Sequence, residues 1–239
     1  GTLSLMNRSA DGSLQAVNSE TASDRFPISV AIHGHLVATA SVGDSNQAGS
    51  IALYRHTPEG LIAIQGSRRD LGARPSTIAF SRSGAFVIVN ELVTGKIHSF
   101  AVSDDGLSAD PIASVDSPRA PAERFHAIPV GFAIGQGDQG ETLLMSEARF
   151  LTPEFGLREE ADKVPQSPLY SWQTSSVSSY VLDDQGGLTL KTADALTGAA
   201  MEGGEIANCW VALNADGDTL YTANALSSSI SRYSVKPNG

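Results

Sequence analysis

The chain contains few of the residues on which several protein classes depend. Among its 239 residues there is one cysteine, Cys209, so neither an intrachain disulfide nor a cysteine-based zinc cluster can form. It has only four lysines and a net charge of −10, which disfavours binding to nucleic acid or to an anionic lipid surface. No apolar run approaches the roughly 20 residues of a membrane-spanning helix. We therefore expect a soluble protein, cytoplasmic or secreted, with neither a nucleic acid nor a membrane as partner and with an oligomeric state that the sequence leaves open.

The motifs that mark a nucleotide site, a metal site or a nucleophilic serine are also missing. There is no Walker loop, no Gly-x-Ser-x-Gly elbow and no dinucleotide-binding fingerprint. The segment "GQGDQG" at Gly135 precedes a predicted strand instead of a helix, so it indicates a turn and not a phosphate loop. His33 and His35 also fall in a predicted turn, without a carboxylate at metal-binding spacing. We expect no cofactor and no metal.

What the chain does contain is a line of sequence that recurs. It appears as "KIHSFAVSDDGL" from Lys96 and as "SVSSYVLDDQGGL" from Ser176, with weaker copies that begin near Thr2, Ser50 and Ser229. The aromatic residues of four copies are 46, 80 and 53 residues apart. They are Tyr54, Phe100, Tyr180 and Tyr233. A period of about 40–50 residues with several short strands per unit is typical of β-propeller blades.

Each repeat predicts four strands, named a to d in chain order. The segment "RPSTIAFSRSGAFVIVNE" from Arg74 holds an apolar strand, a glycine turn and a second alternating strand. The recurring line is strand c with the turn into strand d, predicted at Asp104–Gly106 and Asp183–Gly187. We predict an all-β fold: a β-propeller of four-stranded antiparallel blades, one domain over residues 1–239, with almost no helix. A β-sandwich is the less favoured alternative.

The spacing of 80 residues indicates an insertion between strands b and c of one blade, at about residues 149–175. Its three prolines and mixed charges predict a loop instead of a strand. A loop outside the repeat has no blade to pack on, so we expect it to be the most exposed and mobile segment.

The repeats also suggest how much of a propeller the chain provides. The chain opens in a strand c and stops after another strand c, with about four to five blades between its ends. Propellers usually close with four to eight blades. We therefore expect the chain to be part of a longer propeller.

Several segments resemble the lactonase-type seven-bladed propellers, such as the propeller 6-phosphogluconolactonases and the 3-carboxy-cis,cis-muconate lactonising enzymes. The segments are "ARPSTIAFSRSGAFVIVNE", "VGFAI" with "LLMSEA", "SSVSSYVLDDQGGL" and "NCWVALNADGDTLYTANALSSSISRYSV", of which the last, with its Cys-Trp pair, is the most specific. The resemblance covers nearly the whole chain apart from the insertion. It implies the propeller fold, with seven blades, and, less directly, an activity on a lactone, because propellers host many functions.

Strand direction predicts where a site would lie. The start of strand a and the end of strand b share one face of any blade built in this order, near the central channel. Glu91 and Glu147 end b strands and are candidate general acids or bases, and His126 lies where an a strand begins and is a candidate proton carrier. The alternative is structural: carboxylates that pair with arginines, and a histidine that packs.

The same face predicts residues for substrate binding. A guanidinium binds a carboxylate or phosphate through two parallel hydrogen bonds, and a tryptophan provides an apolar wall. The candidates are Arg25, Arg74, Trp210 and Asn224, with Arg124 as a further arginine. A salt bridge between these arginines and Glu91 or Glu147 is the structural alternative. Cys209 is expected to be a small buried hydrophobe.

Two functions follow from these residues. The first is a cofactor-free hydrolase or lactonising enzyme that acts on a lactone or its open carboxylic acid, with a small anionic molecule as substrate. The second is a non-catalytic propeller that binds a protein or small-molecule partner. A solvent-filled pocket shared by Arg25, Arg74 and Glu147 would favour the enzyme, whereas dry pairing of these residues would favour the binding protein.

Overall fold

Short strands form wherever the sequence alternates between apolar and small polar residues. The computed structural model describes residues 1–21, 24–72, 74–118, 124–151, 171–198 and 204–239. These ranges contain 21 strands and no helix, which confirms the predicted all-β class. The described part of the chain accordingly has no helix with the length and hydropathy needed to cross a membrane.

The chain divides into two compact units. Unit 1 comprises residues 1–89 and 100–111, and unit 2 comprises residues 90–99 and 112–239. Unit 1 contains a two-stranded sheet followed by the first complete blade. The two-stranded sheet is β1 (Thr2–Arg8) with β2 (Leu14–Thr21). The first blade is β3 (Pro27–His33), β4 (Leu36–Ser41), β5 (Gly49–Thr57), β6 (Gly60–Ala63) and β7 (Arg69–Leu71), with β6 and β7 both paired to β5.

The second blade contains the boundaries between the units, which fall within its middle strands. Its strands are β8 (Pro75–Phe80), β9 (Phe86–Glu91), β10 (Lys96–Ser103), β11 (Gly106–Leu107) and β12 (Ala113–Asp116). Its outer strand is again in two pieces, since β11 and β12 both pair with β10. Consecutive antiparallel strands of this kind are the four-stranded pattern that the repeat predicted.

Unit 2 holds the third and fourth blades. The third blade is β13 (Ile128–Gly137), β14 (Gly140–Ala148), β17 (Ser176–Leu182) and β18 (Leu188–Leu196), paired in that order. The fourth is β19 (Asn208–Leu213), β20 (Thr219–Asn224) and β21 (Ser229–Ser234). In the residues described, the fourth blade therefore supplies strands a, b and c, as the recurring line at its end predicted.

The turns fall at glycine and aspartate residues that predict turns in the sequence. Gly84 and Gly217 lie in the a–b hairpins of the second and fourth blades with φ of 75° and 77°, a conformation that glycine adopts without steric cost. The c–d turns after β10 and β17 end at β11 and β18, as predicted. In the second of these turns the Asp183 side chain accepts hydrogen bonds from the backbone amides of Gln185 and Gly187, both at 2.8 Å.

Each unit has its own apolar core, built from the inward faces of its strands. In unit 1 the cluster includes Ile51, Leu53, Val87, Val89 and Phe100, all with at most 2% of their surface exposed. In unit 2 a smaller cluster joins the third and fourth blades and is made of Leu144, Val177 and Leu220. Residues of β19 and β21 pack against it, which fixes the fourth blade on the third within this unit.

The insertion in the third blade differs from the prediction at its two ends. β15 (Phe150–Leu151) and β16 (Ser171–Trp172) pair as a two-stranded antiparallel sheet, so the first and last residues of the expected loop are strands. These four residues contain no proline, so all of their backbone amides can take part in strand pairing, and the predicted loop between them stays a prediction. Residues 152–170 lie outside the described part, and so does most of the segment expected to be mobile.

Candidate functional site

Strand pairing identifies equivalent positions in three of the blades. In each, a residue at or next to the end of strand b pairs on one side with an early residue of strand a and on the other with a serine at or next to the start of strand c. The a–b pairs are Pro27–Ser41, Pro129–Glu147 and Asn208–Asn224. The b–c pairs are Ser41–Ser50, Glu147–Ser176 and Asn224–Ser229. The three blades can therefore be compared residue by residue.

In the first and fourth blades a carboxylate binds this serine. The Ser50 hydroxyl donates to Asp24, and the Ser229 hydroxyl donates to Glu205 at 2.5 Å. Asp24 and Glu205 occupy the same place, three residues before the first a–b pair. Asp24 is nearly fully buried and also binds Arg68 through both carboxylate oxygens, at 2.7 and 2.9 Å. This serine–carboxylate pair ties the loop before strand a to the start of strand c.

The third blade departs from this pattern. The position of Asp24 and Glu205 is held by His126, three residues before Pro129. The serine at the start of strand c, Ser176, donates instead to Glu147, at 2.7 Å. The carboxylate of the pair thus comes from strand b in this blade, and a histidine stands in the loop.

Glu147 is completely buried. None of its surface is exposed, and this desolvation raises the pKa of its carboxyl above the usual value. The positive charge of Arg149 and the hydroxyls of Ser176 and Ser178 oppose the rise, because each stabilises the ionised form. Arg149 Nη2 lies 3.4 Å from Glu147 Oε2.

Arg149 belongs to a buried network of two arginines and two carboxylates in unit 2. Its Nη2 lies 2.8 Å from Asp194 Oδ1, and Arg124 Nε lies 2.7 Å from Asp194 Oδ2. Asp194 therefore holds both guanidinium groups with one carboxylate. With Glu147 as the second carboxylate the four charges can balance, which buried ion pairs require.

The same two arginines hold the loop that carries His126. Arg149 Nη1 donates to the Phe125 carbonyl at 2.6 Å, and Arg124 Nη2 donates to the Thr174 carbonyl at 2.6 Å. The Phe125 amide donates to the Gln173 side chain at 2.7 Å. The backbone on the N-terminal side of His126 is therefore fixed to strand ends of its own blade.

His126 itself is 5% exposed and contacts the b–c turn of the second blade. Its Nε2 lies so close to Gly95 that a Cβ on this glycine would collide with the imidazole. Gly95 has a φ of 71°, and its amide donates to the Glu91 carbonyl at 3.2 Å. Strand a of the third blade is fixed to β9 by Asn90, whose amide donates to the Pro129 carbonyl at 2.6 Å. His126 thus packs against the turn that Glu91 begins.

Glu91 completes the set of predicted proton carriers. It is 3% exposed, accepts a hydrogen bond from the Thr94 hydroxyl, and has its Oε1 3.5 Å from His98 Nε2. Glu91, His126 and Glu147 all lie in unit 2. His126 is linked to Glu91 through the turn at Gly95 and to Glu147 through Phe125 and Arg149.

The predicted substrate-binding residues are placed differently. Arg25 and Arg74 belong to unit 1, where Arg25 pairs with Asp44 at 2.9 Å and Arg74 is exposed. Asn224 is buried and donates to the Ser229 and Ser231 hydroxyls at 3.2 and 2.8 Å, so it supports the fourth blade. Trp210 is 62% exposed.

Trp210 lies on the face of the fourth blade that points away from the third. Its neighbour Val211 packs against the cluster of Leu144 and Val177, and successive residues of a strand point to opposite faces. The Trp210 indole therefore lies on the side of the fourth-blade sheet opposite to the cluster of Leu144, Val177 and Leu220.

Sequence reasoning missed two members of the charged network. Arg149 fell inside the predicted loop, although its place two residues after Glu147 would have put both side chains on one face of an extended chain. Asp194 gave no signal. It has a φ of 54°, an uncommon value for a non-glycine residue that aspartate tolerates better than most. It lies within a register shift between β17 and β18, between the paired residues Thr192 and Ala195.

The comparisons with known proteins show the fold. No protein-family model and no curated protein sequence matches the chain. Among solved structures, it matches the periplasmic gluconolactonase PpgL of Pseudomonas aeruginosa with a TM-score of 0.69 and 17% identity over 99% of this chain and 60% of that chain. A candidate 6-phosphogluconolactonase of Bacteroides fragilis matches with a TM-score of 0.65 and 15% identity, over 98% of this chain and 61% of that chain.

A further match is Sqt1 of Chaetomium thermophilum, with a TM-score of 0.58 and 16% identity over 89% of this chain and 44% of that chain. The chain thus has the β-propeller fold that the sequence predicted, and it is similar in structure to propeller lactonases. It spans about 60% of the length of the two lactonase-type structures. The expected number of seven blades stays a prediction.

Proposed function

We propose that the chain is part of a cofactor-free lactone hydrolase in which His126 and Glu91 transfer protons. The observation that supports this proposal is that the third blade has a histidine, His126, at the position where the first and fourth blades have a carboxylate. Asp24 and Glu205 show that a carboxylate satisfies the fold at the position of His126. A histidine is therefore not needed there for folding. Positions where one repeat departs from the pattern of the others are expected to be functional.

The chemistry of lactone hydrolysis suits this pair. Water attacks the ring carbonyl carbon, the ring C–O bond breaks, and the product is an open hydroxy acid. One proton must leave the attacking water and one must reach the departing ring oxygen. An imidazole beside a carboxylate-bearing turn can accept the first and return the second, a contribution of about 10²–10⁴ in rate.

Glu147 has a supporting role in this proposal. Its carboxylate is bonded to Ser176 and lies beside Arg149, and it has no exposed surface, whereas Glu91 and His126 are 3% and 5% exposed. We therefore assign the direct proton transfers to Glu91 and His126. Glu147 acts on the site through Arg149, which binds the backbone carbonyl just before His126. The charge of Glu147 thus influences proton transfer without direct contact with the reacting atoms.

The substrate class comes from the structural neighbours. Their names identify a gluconolactonase and a candidate 6-phosphogluconolactonase, so we propose a six-carbon sugar lactone, with or without a phosphate. The exposed Arg74 keeps its predicted role as an anion-binding residue as a separate proposal. Weaker binding of inorganic phosphate by the Arg74→Ala variant than by the wild type would support it.

The alternative is a propeller that binds a partner without catalysis. One observation favours it: Trp210, Tyr221 and Ile230 are all exposed, at 62%, 43% and 74%. They share one face of the fourth blade, since Ala212 pairs with Tyr221 and Ala223 pairs with Ile230. Exposed apolar patches of this kind mark interaction surfaces.

The test of the proposed function is a panel of sugar lactones and non-sugar lactones assayed on the complete protein. We expect hydrolysis of a six-carbon sugar lactone, and a loss of about 100-fold in kcat for Glu91→Gln. The matched control is Glu59→Gln, which neutralises an exposed carboxylate in unit 1. Absence of hydrolysis across the panel, with the complete protein folded, would favour the binding protein.

A further inference from the structure

We propose that Arg149, Asp194 and Gly95 are positioning residues that clamp the imidazole of His126 from two sides. This inference rests on the proposed role of His126 in proton transfer. The first side is the charged network that holds the backbone before His126. The second is a glycine turn against which the imidazole packs.

The first side of the clamp depends on the fork shape of the Arg149 guanidinium. Its Nη1 donates to the Phe125 carbonyl at 2.6 Å, and its Nε donates to the Ser176 hydroxyl at 3.1 Å. Its Nη2 approaches Asp194 at 2.8 Å. One rigid planar group therefore joins strand c, strand d and the loop of the third blade.

Asp194 fixes the direction of that fork. Its carboxylate lies between Arg149 and Arg124, at 2.8 and 2.7 Å from their nearest nitrogens in the two ion pairs. Its amide donates to the Ser178 hydroxyl at 3.2 Å, which holds the residue in its left-handed conformation. The network therefore joins Glu147, Arg149, Asp194 and Arg124. The loop of residues 124–126 is attached to it through the Arg124 side chain and through the Phe125 carbonyl.

The second side of the clamp is Gly95. No larger residue fits there without displacing His126, because the Nε2 atom of the imidazole occupies the space of a Cβ. The turn is held in place by the Ser117 amide, which donates to the Gly95 carbonyl at 2.7 Å. His126 is thereby confined between a fixed backbone and a fixed turn, which is the preorganisation that proton transfer needs.

Two substitutions test the two sides separately. Arg149→Lys keeps the positive charge beside Glu147 and Asp194 but removes the forked guanidinium. If Arg149 only balances charge, this variant should leave His126 undisturbed. Gly95→Ala pushes on the imidazole directly. The chain offers a matched control in Gly84→Ala, because Gly84 has a similar φ of 75° and a Cβ there would collide with the ring of His33.

The readouts are the imidazole resonances of His126 by nitrogen-edited NMR, and the pH profile of kcat/KM for lactone hydrolysis by the complete protein. We expect Arg149→Lys and Gly95→Ala to shift the His126 resonances, to move the pH profile, and to lower kcat by at least 10-fold with KM changed less than 2-fold. Gly84→Ala should shift the resonances of His33 alone and leave kcat unchanged.

The inference is overturned if both site variants are folded and leave the His126 resonances and the pH profile as in the wild type. If Arg149→Lys fails to fold, Gly95→Ala decides. If the wild type hydrolyses no lactone, the proposed function fails, while the resonances still show whether the clamp exists. Shifted resonances with an unchanged kcat would also overturn the inference, because residues that position His126 for proton transfer must affect the reaction.

Discussion

His126 and Glu205 occupy the same register position in consecutive blades of unit 2, three residues before the a–b pairs Pro129–Glu147 and Asn208–Asn224. Glu205 binds the serine that opens strand c of its blade. In the third blade Glu147 binds the corresponding serine, Ser176, and His126 packs against Gly95 in the b–c turn of the second blade. One position of the repeat therefore has a structural role in one blade and is released from that role in the other.

A swap between these blades separates fold from function. The double variant His126→Glu with Glu147→Asn gives the third blade the residue types of the fourth at both positions. We expect it to fold, because a carboxylate in the loop can bind Ser176 as Glu205 binds Ser229, and to lose lactone hydrolysis. Circular dichroism and a lactone assay on the complete protein check the two halves. Wild-type turnover in a folded double variant would show that His126 has no catalytic part.

The serine–carboxylate pairs should stabilise the blades in proportion to their burial. Ser50 is fully buried, so Ser50→Ala should lower the free energy of unfolding by about 1–3 kcal/mol, because a buried carboxylate loses one of its donors. Ser229 is half-buried, and Ser229→Ala should cost less. Urea unfolding measures both. Ser13→Ala is the control, since its hydroxyl donates to Asp11 at an exposed position. Equal losses for all three variants would contradict a structural role of burial here.

The pH dependence of stability should reveal the buried carboxyl of Glu147. Burial raises its folded-state pKa above the usual value of 4.5, so the folded state binds this proton more tightly than the unfolded chain does. The contribution of Glu147 is then fully present below about pH 4.5 and is lost as the pH rises through the raised pKa. Relative to Glu147→Gln, the wild type should be more stable at pH 4 than at pH 8. Urea unfolding of both proteins at the two pH values checks this, and a relative gain for the wild type at pH 8 would show a lowered pKa.

Most of the fold could be predicted because its signals are local. Glycine and aspartate mark turns such as the one at Gly84, and the strands between them alternate over short distances. The repeat also predicted that Glu91 and Glu147 stand near the ends of b strands and His126 just before an a strand, which agrees with the bounds of β9, β14 and β13. The roles of Arg149 and Asp194 could not be predicted. Arg149 stands at the start of a segment whose prolines predict a loop, and the position of Asp194 depends on a bulge in β18 that no residue type indicates.

The face of a strand was harder to predict than its ends. Trp210 stands near the start of strand a, like His126, and was expected to line the same concavity. Side chains alternate along a strand, so one residue of register decides which face a side chain occupies. The packing of Val211 on the third blade leaves Trp210 on the side of the sheet that points away from the third blade, a placement that depends on contacts between blades and not on local sequence.

The proposed function rests most directly on the imidazole of His126, and one comparison tests it. kcat/KM for a six-carbon sugar lactone is measured on the complete protein for the wild type, for His126→Asn and for His56→Asn, which alters an exposed histidine in unit 1. We expect His126→Asn to lose about 100-fold or more while His56→Asn keeps the wild-type value. Equal values for the three proteins, or no hydrolysis by a folded wild type, would contradict the assignment of this propeller as a lactone hydrolase that acts through His126.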